Sequence, residues 1–548
     1  MDPNVPTGVL YWGAALVSIA LLLVLLVGLR WKSTEAGPIG LFLAIIVSVV
    51  LFQTPMGTIS IALGKGVWDA IFILYVIWPA LLLYVIVDRA GGFDALRAGI
   101  VKFSRNDLFL VLAFGWVFAS FLQGIAGFGV PIAVVAPLLF ALGVKPIYAV
   151  AIPLIGHAWA NMFGTIAVSW LATNQVIDIA DPTATAWQTA ALLWIINIAG
   201  GLMIAWIYGR AAALSHALPM VLIISLIHGG GQLMLVFWNP IVSNFVAGTV
   251  ALLALYFLSN WKRYDEPHED FDSLVMEAEK ADSEEQEKAA EEHKHEPVMG
   301  LGMATFPYIV LIVVTLGGLL IPPIERALGA FEVGIPFAGT TTGYGVEREA
   351  TDNFKPFALF THPGTFILVS AIISWMVYRS QGFFAKWQKI KRPEGIWKGV
   401  TDGALPASVA VISFLAMSTV FDHSGQTRTL ALGISDAVPP MGYALAANFI
   451  GLLGAFMTSS NTASNVLFSG LQQDVARLQG LSEASVIAGQ SAGGALGNSI
   501  APANAVLGTG TTGISGREGE VLRVTLPWTI AVAAILGLGT VLLASLGG

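Results

Sequence analysis

Apolar runs recur along the whole chain, about twelve of them close to or above the ~18 residues that carry a helix across a bilayer. Backbone N–H and C=O groups held in hydrocarbon must be satisfied within the segment, so such runs predict helices. The spans fall at 9–29, 38–53, 68–88, 107–122, 147–171, 188–208, 219–238, 241–259, 303–322, 363–378, 404–421, 437–458, 484–508 and 525–546. With 56% hydrophobic and 11% charged residues, against roughly 25% charged in soluble domains, a single aqueous globule could not cover this much apolar surface. The fold class is therefore an all-α polytopic membrane protein.

Cysteine is absent, which removes disulfides, thiolate chemistry and Cys-ligated metals. The first run has no basic segment before it and no small-residue cleavage site, and reads as a retained first helix. Residues 261–296 hold fourteen Asp or Glu against five Lys or Arg, a local −9 that accounts for the net charge of −8. The acidity thus belongs to a solvated linker and does not describe a substrate. Lys and Arg gather after span 1 (Arg30, Lys32), after span 3 (Arg89, Arg97, Lys102, Arg105), after span 8 (Lys262, Arg263) and at 379–398. Basic flanks mark cytoplasmic loops. This expectation puts the N-terminus outside, the 261–296 loop in the cytoplasm and the 323–357 loop outside. The basic, aromatic stretch 383–399 suits an interfacial helix on anionic lipid better than a nucleic-acid surface.

Two segments break the helical pattern. In 121–146, Gly124, Gly127, Gly129 and Pro131 interrupt apolar sequence; in 456–480, seven of the eight residues from Thr458 to Asn465 are Ser, Thr or Asn. An offset of roughly 337 residues sets Gly124 against Asn461, Gly127 against Ser464 and Asn161 against Asn498. Paired interruptions in two halves point to a transporter's midplane site, because lipid tolerates unpaired backbone only where it faces protein or water. The expected organisation is an N-terminal membrane repeat, 1–260, an acidic linker, 261–300, and a C-terminal repeat, 301–548, with re-entrant hairpins near 121–146 and 456–480.

An anion entering the membrane must exchange water for donors. Freed backbone at Gly124–Gly129 and the side chains of Ser459, Ser460, Asn461, Thr462, Ser464 and Asn465 supply neutral ones, aided by half-helix dipoles. His157, Asn161, Gln490, Asn498 and Asn504 add polar groups at membrane depth. Asp422 and His423, adjacent in FDHSGQT, form a candidate proton relay beside His157. GQSAG at 489–493 and HGGG at 228–231 imitate esterase motifs. No histidine follows His423, however, so Ser491 has no base in the order that fold requires. GKG at 64–66 lacks the rest of a P-loop, and rings of pore charge that would suit a channel are missing.

At FLQGIAGFGVPIAVVAPLLFALGVKPIYA (121–149), SGQT (424–427), SSNTASNVLFSGLQ (459–472), AGGALGNSIAPAN (492–504) and GTTGISGREGEVLRVTL (510–526), the chain resembles the lactate permease family. That resemblance implies a multi-pass permease of a prokaryotic cytoplasmic membrane that carries a small carboxylate anion such as L-lactate or glycolate with protons. It also implies an ion-transporter-type architecture of inverted repeats and two re-entrant hairpins, without cofactor. Carried over by residue, Gly127, Phe128 and Gly129 form the first tip and Thr462, Ser464 and Asn465 the second. Where the family pattern has an acid, an Asp and a Lys, this chain has Gln123, Asn461 and Asn498, and HAWANMFG replaces N-T-A-P-V-A-F-G. Another small organic or inorganic anion, Na+ coupling and a ligand-binding subunit without turnover remain alternatives. GxxxG-like spacings leave monomer or homodimer undecided.

Overall fold

The structure is a computed structural model describing residues 5–29, 31–101, 104–125, 127, 129–267, 272–276, 296–391 and 393–546. Most of the acidic linker lies outside these residues, as do Arg30, Lys102 and Phe128. Among the described residues, nine helices are long and apolar enough to span a bilayer, or up to eleven when each of two bent pairs counts as one.

Several predicted spans change shape in the fold. The runs at 188–208 and 219–238 fall on two helical segments of Pro182–Leu235, separated where Gly209 and Arg210 leave helical geometry; Asp181 caps the first by accepting from the Ala184 N–H at 2.8 Å. The 68–88 span extends back to Met56, which brings Lys65 inside a membrane helix. Pro363–Ser380 bends by 78° into Phe383–Lys391, so the basic, aromatic stretch leaves the span direction as an interfacial helix would. The 323–357 loop carries an antiparallel β-hairpin, Glu332–Phe337 against Thr351–Ala358.

The two halves repeat one order of elements. In the first, Asp107–Ile125 runs to a break, Val130–Ala141 returns, and Pro146–His157 leads into a 3-10 turn, Ala158–Asn161, before Gly164–Val176. In the second, Pro440–Thr458 runs to a break, Asn461–Gln479 returns, and Glu483–Gly497 leads into a 3-10 turn, Asn498–Ile500, before Pro502–Thr511. The two hairpins enter from opposite faces. Ends of the first bond to the segment after 264: the Arg105 N–H donates to the Asp265 carbonyl and the Lys145 N–H to that of Val275. The second has its open end near Asp178 and Val438, whose carbonyls accept from Gln473 and Gln479.

Close crossings make this packing possible. A Cβ at Gly156 would fall on the backbone of Gly115 and Trp116, and one at Gly493 on that of Asn448. In lipid, where apolar contact brings no hydrophobic gain, such backbone approach is what holds helices together.

Candidate functional site

Each hairpin tip is built by a local failure of helix. At the first, Gly129 takes a left-handed φ of 85° immediately before Val130–Ala141, a conformation open to glycine at no steric cost. At the second, Ser459 is left-handed at φ 55°, and the Ser460 hydroxyl accepts from the Ala463 N–H at 3.2 Å, capping Asn461–Gln479. The break after Gly497 adds a helix start at Pro502, where the Ala503 N–H donates to the Ser459 hydroxyl at 3.2 Å. These helix starts and the break after His157 border one cavity of about 60 Å³.

That cavity joins residues from both halves. From the first half come Gln123, Gly129, His157, Asn161, Gly164, Thr165, Val168 and Ser169; from the second come Ser459, Ser460, Asn461, Thr462, Asn498 and Asn504. No lining side chain among the described residues carries a fixed charge. The His157 Nδ1 lies 2.5 Å from the Pro153 carbonyl, so this nitrogen bears the proton and donates, which leaves Nε2 as the nitrogen free to accept. Asn161 donates to the Ala158 carbonyl at 2.8 Å and Asn498 to that of Gly494 at 3.2 Å, leaving amide oxygens available. Among the described residues the Asn461 amide nitrogen meets the Met162 sulfur alone, at 3.8 Å, and its buried Oδ1 has no hydrogen-bond partner. That oxygen packs against Gly494 of the Glu483–Gly497 helix.

Beside the cavity, Thr165, Ile166 and Ala167 all hold positive φ, at 50°, 51° and 59°. Left-handed backbone costs about 1–2 kcal/mol for each such residue, and the strain sits where the bent Pro146–Asn161 and Gly164–Val176 pair turns by 50°.

Other predicted residues support the tips from behind. The Gln490 amide donates to the Ser464 hydroxyl at 3.1 Å and accepts from Gln472 at 2.9 Å; Ser464 in turn donates to the Gly451 carbonyl. Asn465 reaches the Met162 sulfur at 3.3 Å. A Cβ at Gly127 would meet Thr165 and Gln123, so Gly127 abuts the lining, while Phe128 lies outside the described residues. Ser491 stands in the middle of Glu483–Gly497 rather than on a strand-to-helix elbow, and the His228 ring meets Trp159 edge-on at 4.6 Å.

Asp422 and His423 belong to a second, larger cavity of about 470 Å³, also lined by Lys65, Asp69, Arg348 and Lys355. These four, with Thr165 and Ser169 of the first cavity, escaped the sequence reading. Asp69 already lay inside the predicted 68–88 span, and Lys65 enters it when the span is extended back to Met56; charge in an apolar helix is a functional signal. Arg348 and Lys355 lie in a loop whose sequence does not say where it docks.

The family profile described as L-lactate permease matches residues 13–547. The glycolate permease GlcA of Escherichia coli K12 is 26% identical over 96% of this chain and 94% of its own. An L-lactate permease of Halalkalibacterium halodurans is 26% identical over 97% and 96%. Among solved structures, the Alcanivorax borkumensis YdaH transporter aligns with 88% of this chain and 87% of its own at 14% identity and a TM-score of 0.42.

Proposed function

The chain belongs to the L-lactate permease family, and from that premise we propose that it is a secondary active transporter moving a small monocarboxylate, such as L-lactate or glycolate, by proton symport with alternating access. One observation carries the proposal: the two hairpins meet at a cavity lined by uncharged polar side chains from both halves. Hydrogen bonds from amide, hydroxyl and backbone N–H groups bind a carboxylate and release it again. Gln123, Asn161, Asn461, Thr462 and Asn498 bind the substrate, and His157, the titratable side chain in that lining, handles the proton. The basic flanks place the N-terminus outside and the acidic linker in the cytoplasm of a prokaryotic cell.

The missing charge also motivates a second reading, in which Na+ is the coupling ion or a different small anion is carried. One experiment separates the two. Uptake of radiolabelled L-lactate into proteoliposomes is measured with inward proton or sodium gradients and with glycolate, pyruvate and acetate as competitors. Proton-driven accumulation blocked by glycolate supports symport of monocarboxylates. Sodium-driven uptake replaces the coupling ion, and no uptake beside an active control permease sinks the transport reading.

A further inference from the structure

Lys65 is only 5% exposed, inside the Met56–Arg89 helix. Among the described residues its ammonium has one hydrogen-bond partner, Nε2 of His423 at 3.3 Å. His423 Nδ1 lies 3.0 Å from the Thr419 carbonyl and so carries the ring proton, which makes Nε2 a neutral acceptor. Neither neighbouring carboxylate bonds Lys65, although Asp69, one turn along its helix, leaves Oδ1 without a partner among the described residues, and Asp178 and Asp474 also line the cavity. Asp422 receives Arg348 Nη2 at 2.5 Å and Nε at 3.0 Å, and Asp69 lies 3.5 Å from Lys355. Lys65 also faces the Phe354 ring, 5.1 Å from its centroid. An ammonium buried in a membrane protein with a single neutral acceptor is short of partners, and this one borders a cavity of about 470 Å³.

We propose that this chamber is a second binding site, a capture site for the carboxylate of a small monocarboxylate, with Lys65 as its anchor and Phe354, Phe421 and Leu471 against the alkyl part. The assignment rests on the transport reading above only for the identity of the ligand. The chamber is placed to feed the first cavity: the helices Gly164–Val176 and Asn461–Gln479 line both, with Ser169 on one cavity and Gln175 on the other, about 9 Å apart along the helix. Between them Ser169 bonds Thr462 at 2.8 Å.

The test is equilibrium dialysis of radiolabelled L-lactate against the purified full chain in detergent. Two sites per chain are expected, and Lys65→Gln should lose one. In proteoliposomes the same variant should raise the KM for L-lactate by about tenfold or more, the worth of a charge-assisted hydrogen bond, with Vmax kept within about twofold. A single site in the wild-type chain overturns the capture site whether or not any variant folds. So does a Lys65→Gln protein with unchanged stoichiometry and KM. Failure of the transport reading looks different: the wild-type chain would bind L-lactate at two sites and yet show no uptake under any gradient.

Discussion

Ser169 and Thr462 join their hydroxyls at 2.8 Å across 293 residues of sequence, at the point where helices from opposite halves separate the charged chamber from the neutral cavity. On the capture-site proposal, a substrate moving between the two cavities has to part this contact.

Removing it is expected to ease that movement. Hydrogen bonds between helices in membranes average about 0.6 kcal/mol, so Ser169→Ala should raise the population open between the cavities about threefold. Because the chain has no native cysteine, Val168→Cys on the lining of the neutral cavity gives a direct probe. Its modification by a membrane-impermeant thiol reagent should accelerate about threefold in the Ser169→Ala background and slow when L-lactate is present. An unchanged rate would mean that the hydroxyl pair does not control access.

His157 and Asp422 should separate cleanly. His157 presents Nε2 to the neutral cavity, whereas the Asp422 carboxylate is held by two guanidinium nitrogens of Arg348. His157→Ala should abolish accumulation driven by a proton gradient while L-lactate exchange at equal pH survives. Asp422→Asn should keep proton-driven accumulation. Full pH dependence in His157→Ala removes His157 from the coupling step.

The tips should tolerate little added volume. A Cβ at Gly164 would sit 2.7 Å from the Gln123 carbonyl oxygen, a backbone atom that cannot swing aside. Gly164→Ala is expected to cost about 1–3 kcal/mol and to remove uptake, read as a lower Tm and lost L-lactate accumulation. Gly129→Ala meets a movable Leu507 side chain but carries the left-handed φ of 85°, for about 1–2 kcal/mol. Wild-type uptake by Gly164→Ala would show that the tips are not tightly engaged.

Acid should weaken the region around His362, which lies just outside the Pro363–Ser380 span. Its Nδ1 accepts from the Gly364 N–H at 3.1 Å, and its ring packs against Phe72, Tyr75 and Phe357. Burial lowers its pKa from 6.5 to about 3. The unfolded chain therefore binds a proton below pH 6.5 that the folded chain refuses until about pH 3, so stability falls as pH drops through that window and is level above it. His362→Asn, which keeps a capping oxygen, should flatten that part of a Tm-versus-pH curve; an unaltered slope assigns the acid sensitivity to other groups.

Much of the architecture was legible in the sequence because its causes are local. The length of each apolar run sets a helix, and Gly, Pro or a cluster of Ser, Thr and Asn interrupts one, so both hairpins, and ten residues that the fold brings to the lining of the neutral cavity, stood out before any packing was known. Asn161 against Asn498 also marked equivalent breaks, since a polar amide at the end of an apolar half-helix is visible in the sequence.

Packing decided how those residues are shared out. Sequence placed Asp422, His423 and His157 in one class of proton candidates, yet the fold puts them in two cavities. Lys65 lies 358 residues from His423 and Arg348 74 residues from Asp422; both pairs exist because the helices Met56–Arg89 and Ile396–Ser424 run against each other and the β-hairpin docks over their ends. Apolar periodicity fixes that a segment crosses the membrane. Which polar groups then meet is set by the crossing of helices at glycine contacts and by the need of each buried charge for a partner, and both depend on distances that no stretch of sequence contains.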